Sequence, residues 1–152
     1  MQPASLILMD ENPRDIKDEL MPLLVASWET IKGSYPYSQL KPDFDTYLRL
    51  LDADMLKLFT ARFDGGLIGY ALVLLTTHPH RADELVGTID TIFVLPNFRS
   101  RGTADRLLHF VEHTLRTLSV CSIAIASRND RHERWLKFMG YQHVETILER
   151  RL

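Results

Sequence analysis

The sequence predicts an α/β fold, a mixed sheet with helices packed against it, and three observations carry that expectation. Apolar residues recur at helical spacing in several stretches, runs rich in β-branched and aromatic residues lie between them, and glycine or proline marks most junctions. Ser5–Met9 reads as a first strand. From Ile16 the positions Leu20, Leu23, Leu24, Trp28 and Ile31 share one helical face, ending at Gly33. Gly33-Ser34-Tyr35-Pro36 breaks that helix. A shorter one follows through Phe44, Tyr47, Leu48 and Leu51, with Asp43 as its N-cap.

After Ala53 the period changes to that of strands. Met55–Phe63 and Leu67–Thr76 flank Asp64-Gly65-Gly66, a hairpin turn signal. His78-Pro79-His80 opens a polar loop. Leu85–Val94 is a third strand with β-branched residues on both faces, which predicts cover on both. A helix starts near Ala104, with Leu107, Leu108, Val111, Leu115 and Leu118 on one stripe. Ser122–Ala126 is a short buried strand, Asp130–Met139 a helix closed by Gly140, and Gln142–Leu152 a terminal strand.

The bulk numbers narrow the classes of function. The 152 residues suit one domain, 1–152, and 45% hydrophobic with 25% charged residues is a globular balance. A net charge of −2 lacks the basic excess of a nucleic-acid module. The single cysteine, Cys121, allows no intramolecular disulfide and suits the cytoplasm; it reads as a core residue. Met1-Gln2-Pro3-Ala4 has no basic n-region, and the apolar Leu6–Met9 runs straight into Asp10 and Glu11, too short for a signal peptide. The longest apolar stretch, Ile68 to Leu75, is far below the roughly 18 residues of a membrane helix. The expectation is a soluble cytoplasmic protein without membrane or nucleic-acid partners.

The chemistry concentrates between Val94 and Asp105. A strand ends, Pro96 breaks it, and Gly102 stands ahead of a long amphipathic helix. The first N–H groups of a helix have no intrahelical partner and lie at the positive end of its dipole, so they form an anion site. Gly102 lets a bulky anion approach and small Ala104 keeps the mouth open. Arg99 and Arg101 are cations at that positive end, where each costs about 0.3–1 kcal/mol unless an anion is present or the side chains point away. No Walker loop and no three-glycine dinucleotide fingerprint is found.

Arg99-Ser100-Arg101-Gly102-Thr103-Ala104 resembles the Gln/Arg-x-x-Gly-x-Gly/Ala acetyl-CoA signature of the GNAT superfamily of N-acetyltransferases. Its surroundings are similar too: Val94-x-Pro96 before it, Phe98 at an aromatic position, Leu107-Leu108 after it, Asp64–Tyr70 upstream, and Asn129 with Gly140-Tyr141 downstream. The resemblance runs from about Met55 to Tyr141, and the N-terminal half with its His-Pro-His loop is similar to phage-encoded members. It implies a mostly antiparallel sheet with a central splay between Leu85–Val94 and Ser122–Ala126, flanked by about four helices. It also implies acetyl-CoA as co-substrate, its pyrophosphate on the amides of Arg101, Gly102, Thr103 and Ala104, and its pantetheine on backbone near Phe93 and Val94. Asn129 would belong to the second CoA segment. An amine acceptor would attack the thioester directly, with a backbone N–H near Val94 stabilising the oxyanion.

For the general base the leading residue is Asp90, a carboxylate inside an otherwise apolar strand; its alternative is a structural bond to a turn or arginine. His78 and His80 are rivals, because histidine titrates near neutral pH; their alternative is a solvated loop. The sequence departs from the family at Leu136, seven residues after Asn129, where many members carry the tyrosine that protonates the leaving thiolate. That departure keeps a non-catalytic acyl-CoA-binding or protein-interaction domain as the alternative. His109 and His113 lack a third ligand and read as a solvated face, so no metal is expected. Arg128, Arg131, Arg134 and Lys137 could meet a CoA 3′-phosphate or lie on a surface helix. The acceptor would be shaped by the segment around Tyr35 and Tyr37 and by the His78–Asp83 loop, and an exposed terminal strand could pair in a homodimer.

Overall fold

In the computed structural model, which describes residues 4–152, five strands and four α-helices follow in the order β1 (Leu6–Asp10), α1 (Pro13–Ile31), α2 (Phe44–Asp52), β2 (Leu56–Phe63), β3 (Gly66–His78), β4 (Arg81–Val94), α3 (Thr103–Thr117), β5 (Ser122–Ile125) and α4 (Asp130–Phe138). Met1-Gln2-Pro3, read above for its lack of basic residues, lies outside the described residues. The strands form one sheet in sequence order, antiparallel from β1 to β4 and parallel between β4 and β5.

β3 is the middle of the sheet, and its composition explains why. From Leu67 to Val73 every residue is buried. Tyr70 and Leu72 face α1 and α2 with Leu20, Leu23 and Leu24, while Ala71, Val73 and Leu75 face α3 with Leu107, Leu108 and Val111. A strand apolar on both faces must be covered on both, and helices on opposite sides supply the cover. The hairpin before it turns on Asp64 and Gly65, both at positive φ (48° and 85°), the pair that a type I′ turn requires. No helix among the described residues is long and apolar enough to cross a membrane.

One polar cluster ties the N-terminal elements to the sheet. Arg62 on β2 donates to Glu11 (2.8 and 3.1 Å), to Glu19 on α1 (2.7 and 3.0 Å) and to the Gly65 carbonyl (2.9 Å). Thr60 adds a hydroxyl to Glu11. The side chains of Arg62 and Glu11 are each only 13% exposed, so this is a largely desolvated bidentate pair.

Three expectations need correction. Gln142–Leu152 forms no strand; it runs without a ladder partner, and Val144, Ile147 and Leu148 are at least 77% exposed. Strand-forming residues are not enough without a neighbour to pair with. β4 is not covered on both faces throughout, since Thr88 and Asp90 are exposed. Cys121 is exposed, its thiol donating to the Leu85 carbonyl at 3.2 Å, and so is not a core residue.

Two variants test this architecture. Arg62→Met should cost about 3 kcal/mol in chemical denaturation, because it strands the buried Glu11 carboxylate. Hydrogen bonds from Arg62 hold the Glu19 carboxyl below its ordinary 4.5, so that pair stabilises the fold above this pH and its contribution fades as pH falls through and below it. Melting temperature should therefore drop less steeply on acidification in Arg62→Met than in the parent. Gly69 packs β3 against β4 so closely that a Cβ would sit 2.8 Å from the Phe93 carbonyl oxygen and 3.1 Å from Val94. Gly69→Ala should cost about 1–3 kcal/mol as overpacking, read as a melt several degrees lower.

Candidate active site

The site begins with an irregularity in β4. Leu72 pairs with Thr91 and Val73 with Ile89, which leaves Asp90 as the extra residue of a β-bulge. On its other side β4 pairs with β5 only from Val86 to Ile89. The bulge and the end of that ladder coincide, so the two strands part at Asp90 and the backbone from there to Val94 borders a gap.

Backbone polarity along that edge follows from the register. Leu95 N–H donates to the Ile68 carbonyl (2.8 Å), so the adjacent pair Gly69–Val94 is of the non-hydrogen-bonded kind and the N–H and C=O of Val94 point away from β3. The same alternation turns the backbone groups of Phe93 back toward Tyr70, so of these two expected cofactor residues only Val94 offers its backbone to the gap. Its carbonyl already accepts Arg99 Nε at 2.7 Å, which leaves the N–H free of that bond.

Beyond Val94, residues Pro96–Arg101 form a 3₁₀ turn, Gly102 takes a left-handed φ of 67°, and α3 starts at Thr103. Asn12 caps α1, Asp43 caps α2 and Asn129 caps α4, each accepting a backbone N–H; α3 has no side-chain cap. Asp105 in its first turn is turned aside to accept Trp135 Nε1 at 2.7 Å. Thr103 is buried, Ala104 half-buried, and nothing lies within 4 Å of a Cβ built on Gly102, so the approach to the uncapped start of α3 is open at Gly102. The two arginines are partly compensated without an anion. Arg99 lies over the Phe93 ring (5.3 Å), and Arg101 over Phe63 (5.2 Å) and Phe98 (5.9 Å).

On the opposite face of the sheet, beside Asp90, a cavity of about 240 Å³ lies between α1, α2, β3 and β4. Its aromatic wall is Trp28, Tyr35, Tyr47 and Tyr70, and its charged groups are Asp90 and Arg128. Burial first, and the Asp90 charge after it, raises the Tyr47 phenol above its ordinary range. Burial likewise pushes Tyr70 up to about 12. Both hydroxyls are therefore neutral donors at physiological pH.

Asp90 is exposed and accepts Thr91 Oγ1 at 3.0 Å, so the expected buried carboxylate is instead one aimed into an open site. His78 and His80 stand at the β3–β4 hairpin tip, nine residues along β4 from Asp90, roughly 30 Å away. They and the His78–Asp83 loop do not join the site. Asn129 spends its side chain on the His132 amide as the cap of α4 (2.8 Å). Leu136 is 4% exposed in the α3-side core, so no side chain there reaches a thiolate. Of the acceptor segment, Tyr35 lines the cavity, while Tyr37 borders a separate hollow of about 100 Å³ with Glu149 and Arg151. Among the described residues no group of three or more His, Cys, Asp or Glu side chains is placed to hold a metal ion.

Sequence reading missed Trp28, Tyr47 and Tyr70 as site residues, and it set Arg128 at a CoA 3′-phosphate or on a surface helix, whereas Arg128 lines the cavity. Tyr47 and Tyr70 occupy apolar positions of a helix and a strand and so read as core; the signal was the hydroxyl, which a buried tyrosine must place somewhere.

The same architecture recurs in solved proteins. Aminoglycoside N-acetyltransferase AAC(6')-Iy in complex with CoA superposes with a TM-score of 0.77 at 22% identity, covering 99% of this chain and 97% of that one. Ribosomal-protein-alanine N-acetyltransferase from Brucella melitensis biovar Abortus 2308 gives 0.71 at 19% identity, covering 97% and 99%. An aminoglycoside acetyltransferase from an uncultured soil metagenomic sample, in complex with sisomicin, gives 0.73 at 11% identity, covering 97% and 95%. No curated protein sequence matches the chain. Residues 17–141 match the Acetyltransferase (GNAT) family, a span that holds the bulge at Asp90, the gap beside Val94 and the uncapped start of α3. The chain belongs to that family and is an acyltransferase of the GNAT type.

Proposed function

We propose that this chain transfers the acetyl group of acetyl-CoA to a primary amine bound in the cavity beside Asp90. The observation that carries the reading is the convergence on β4 of three features: an uncapped helix N-terminus, a strand edge with a free N–H at Val94, and a carboxylate at the mouth of a cavity. The uncapped amides of Gly102 to Ala104 and the guanidinium groups of Arg99 and Arg101 fit a pyrophosphate, and the gap along Val94 fits an extended amide-bearing chain.

Acetyl-CoA supplies the activated acetyl group as a thioester. Asp90 takes a proton from the acceptor ammonium, directly or through water; the amine nitrogen bonds to the carbonyl carbon, the carbon–sulfur bond breaks, and CoA departs as the thiolate. The amide product loses its second proton to solvent. The Val94 N–H, pointing away from β3 at the gap, is the donor this reading offers to the developing oxyanion. The buried Leu136 favours one other reading, a domain that holds acyl-CoA without turnover. The unpaired outer edge of β5 and the exposed Val144, Ile147 and Leu148 support a homodimer, and the cysteine content supports a cytoplasmic setting.

Acetyl-CoA at about 100 times its dissociation constant should stabilise the parent by about 2.7 kcal/mol. Gly102→Glu should abolish that shift by charge and bulk, while its own melt falls only modestly, since the added side chain meets open space and the cost is the left-handed φ. A melt that acetyl-CoA does not move in parent protein free of CoA would remove the cofactor assignment.

Asp90→Asn tests whether the carboxylate is the base. Turnover should fall about 10²–10⁴-fold with acetyl-CoA affinity unchanged, and the deficit should shrink as pH rises and the acceptor deprotonates in solution. A pH–rate profile of parent and variant checks this. Equal rates at every pH would return Asp90 to a structural role.

A further inference from the structure

The cavity beside Asp90 limits what can be acetylated, and the limits come from its size and its charges. A cavity of about 150 Å³ accommodates a benzene ring, so the 240 Å³ here, open to solvent on one side, holds one ring with a short arm against its walls. Its walls suit a flat apolar body. Trp28 and Tyr35 stack at 5.9 Å with 17° between their planes, and Tyr47 and Tyr70 bring two more rings, with Leu24 and Leu72 beneath.

The charges are one of each sign. Asp90 is the only carboxylate on the lining and Arg128 the only cation. Tyr47 and Tyr70 add no negative charge, since burial and the nearby Asp90 keep their hydroxyls protonated. Arg128 is fixed in place. Its Nη1 donates to the Tyr35 hydroxyl at 2.7 Å and its guanidinium stacks on the same ring at 5.3 Å. Among the described residues it has no carboxylate partner, as is true of most arginines of the chain, and what sets it apart is its place on the cavity lining. His132, which its charge affects, is held mostly neutral, by burial first and by Arg128 second. A guanidinium anchored on a ring with its remaining N–H groups unpaired is arranged to receive an anion. A polycation would meet one carboxylate and one like charge.

We propose that the acceptor is a zwitterionic amine of about one ring: its ammonium at Asp90, an aromatic or branched apolar body against Trp28, Tyr47 and Tyr70, and a carboxylate or similar anionic group on Arg128. An aromatic amino acid has this chemistry. The assignment rests on the acyltransferase reading above and makes Arg128 a specificity residue of that site.

The test is release of free CoA thiol by the full chain from acetyl-CoA with five acceptors: phenylalanine, tryptophan, their decarboxylated counterparts phenethylamine and tryptamine, and kanamycin. The acids should give a higher kcat/KM than the matched amines, with kanamycin lowest. Arg128→Met should lower the ratio of acid to matched amine about 10–100-fold, the weight of one charged hydrogen-bonded contact, and Arg128→Lys should recover part of it. A preference for kanamycin or for the decarboxylated amines would overturn the proposal. So would an Arg128→Met variant that weakens acetyl-CoA binding and slows all acceptors alike, since the arginine would then serve the cofactor. Absence of release with all five, in protein whose melt acetyl-CoA raises, overturns the acceptor class and leaves the cofactor site standing. If acetyl-CoA fails to raise the melt, the acyltransferase reading itself falls.

Discussion

The parting of β4 from β5 at Asp90 is the constraint on which the rest of the site depends. A parallel pair is held only by its evenly spaced ladder, and β5 has four residues to offer. All four are used between Val86 and Ile89. One residue further along, the bulge opposite Val73 tips the strand and re-aims its side chains. β4 thereby acquires a free edge in the middle of the molecule, and an unpaired edge in that position needs a partner with amide groups of its own. Gly69 makes the tight approach of β3 to β4 possible at the far end of the same segment, so the inner edge stays closed where the outer one opens.

The segment after that edge distributes positive charge without a counter-charge on the chain. Among the described residues α3 is the one α-helix whose first amides no side chain caps, and the acidic residue of its first turn is engaged by Trp135. Arg99 and Arg101 stand at the same end, held by a carbonyl and by aromatic faces. Those contacts explain how the arginines are tolerated, and they leave the ends of both guanidinium groups available. Ring faces and a backbone carbonyl position a cation without neutralising it, which suits a site that meets an anionic ligand only part of the time.

Sequence alone carried the architecture and the loop–helix junction at Gly102, and the reasons are local. Strand and helix periods are properties of short windows, so β1 to β5 and α1 to α4 fall close to their expected spans. Gly102 ahead of an amphipathic helix is likewise a local pattern. Features that depend on a partner elsewhere in the chain were not legible. Residues 142–152 have strand-forming side chains yet find no ladder, Cys121 flanks a strand whose end is open, and Asp90 reads as a buried charge because a sequence does not display a bulge. The acceptor cavity was hidden for the same reason. Trp28, Tyr47, Tyr70 and Arg128 come from four separate elements, and only the folded sheet brings them to one place.

The sheet also divides the work between its faces. The α3 side, with Leu107, Leu108, Val111 and Leu136, is a core of buried apolar residues beneath the uncapped helix. The α1 side is looser toward its end, where tyrosines and tryptophan replace leucines around the cavity. Asp90 belongs to neither core. It lies on the strand between them, at the one position where the ladder has ended and the backbone turns outward. A carboxylate one residue earlier would project from a paired segment of β4, and one residue later its side chain would alternate to the other face. The bulge is therefore what sets a single carboxylate both at the end of the β4–β5 ladder and on the lining of the cavity.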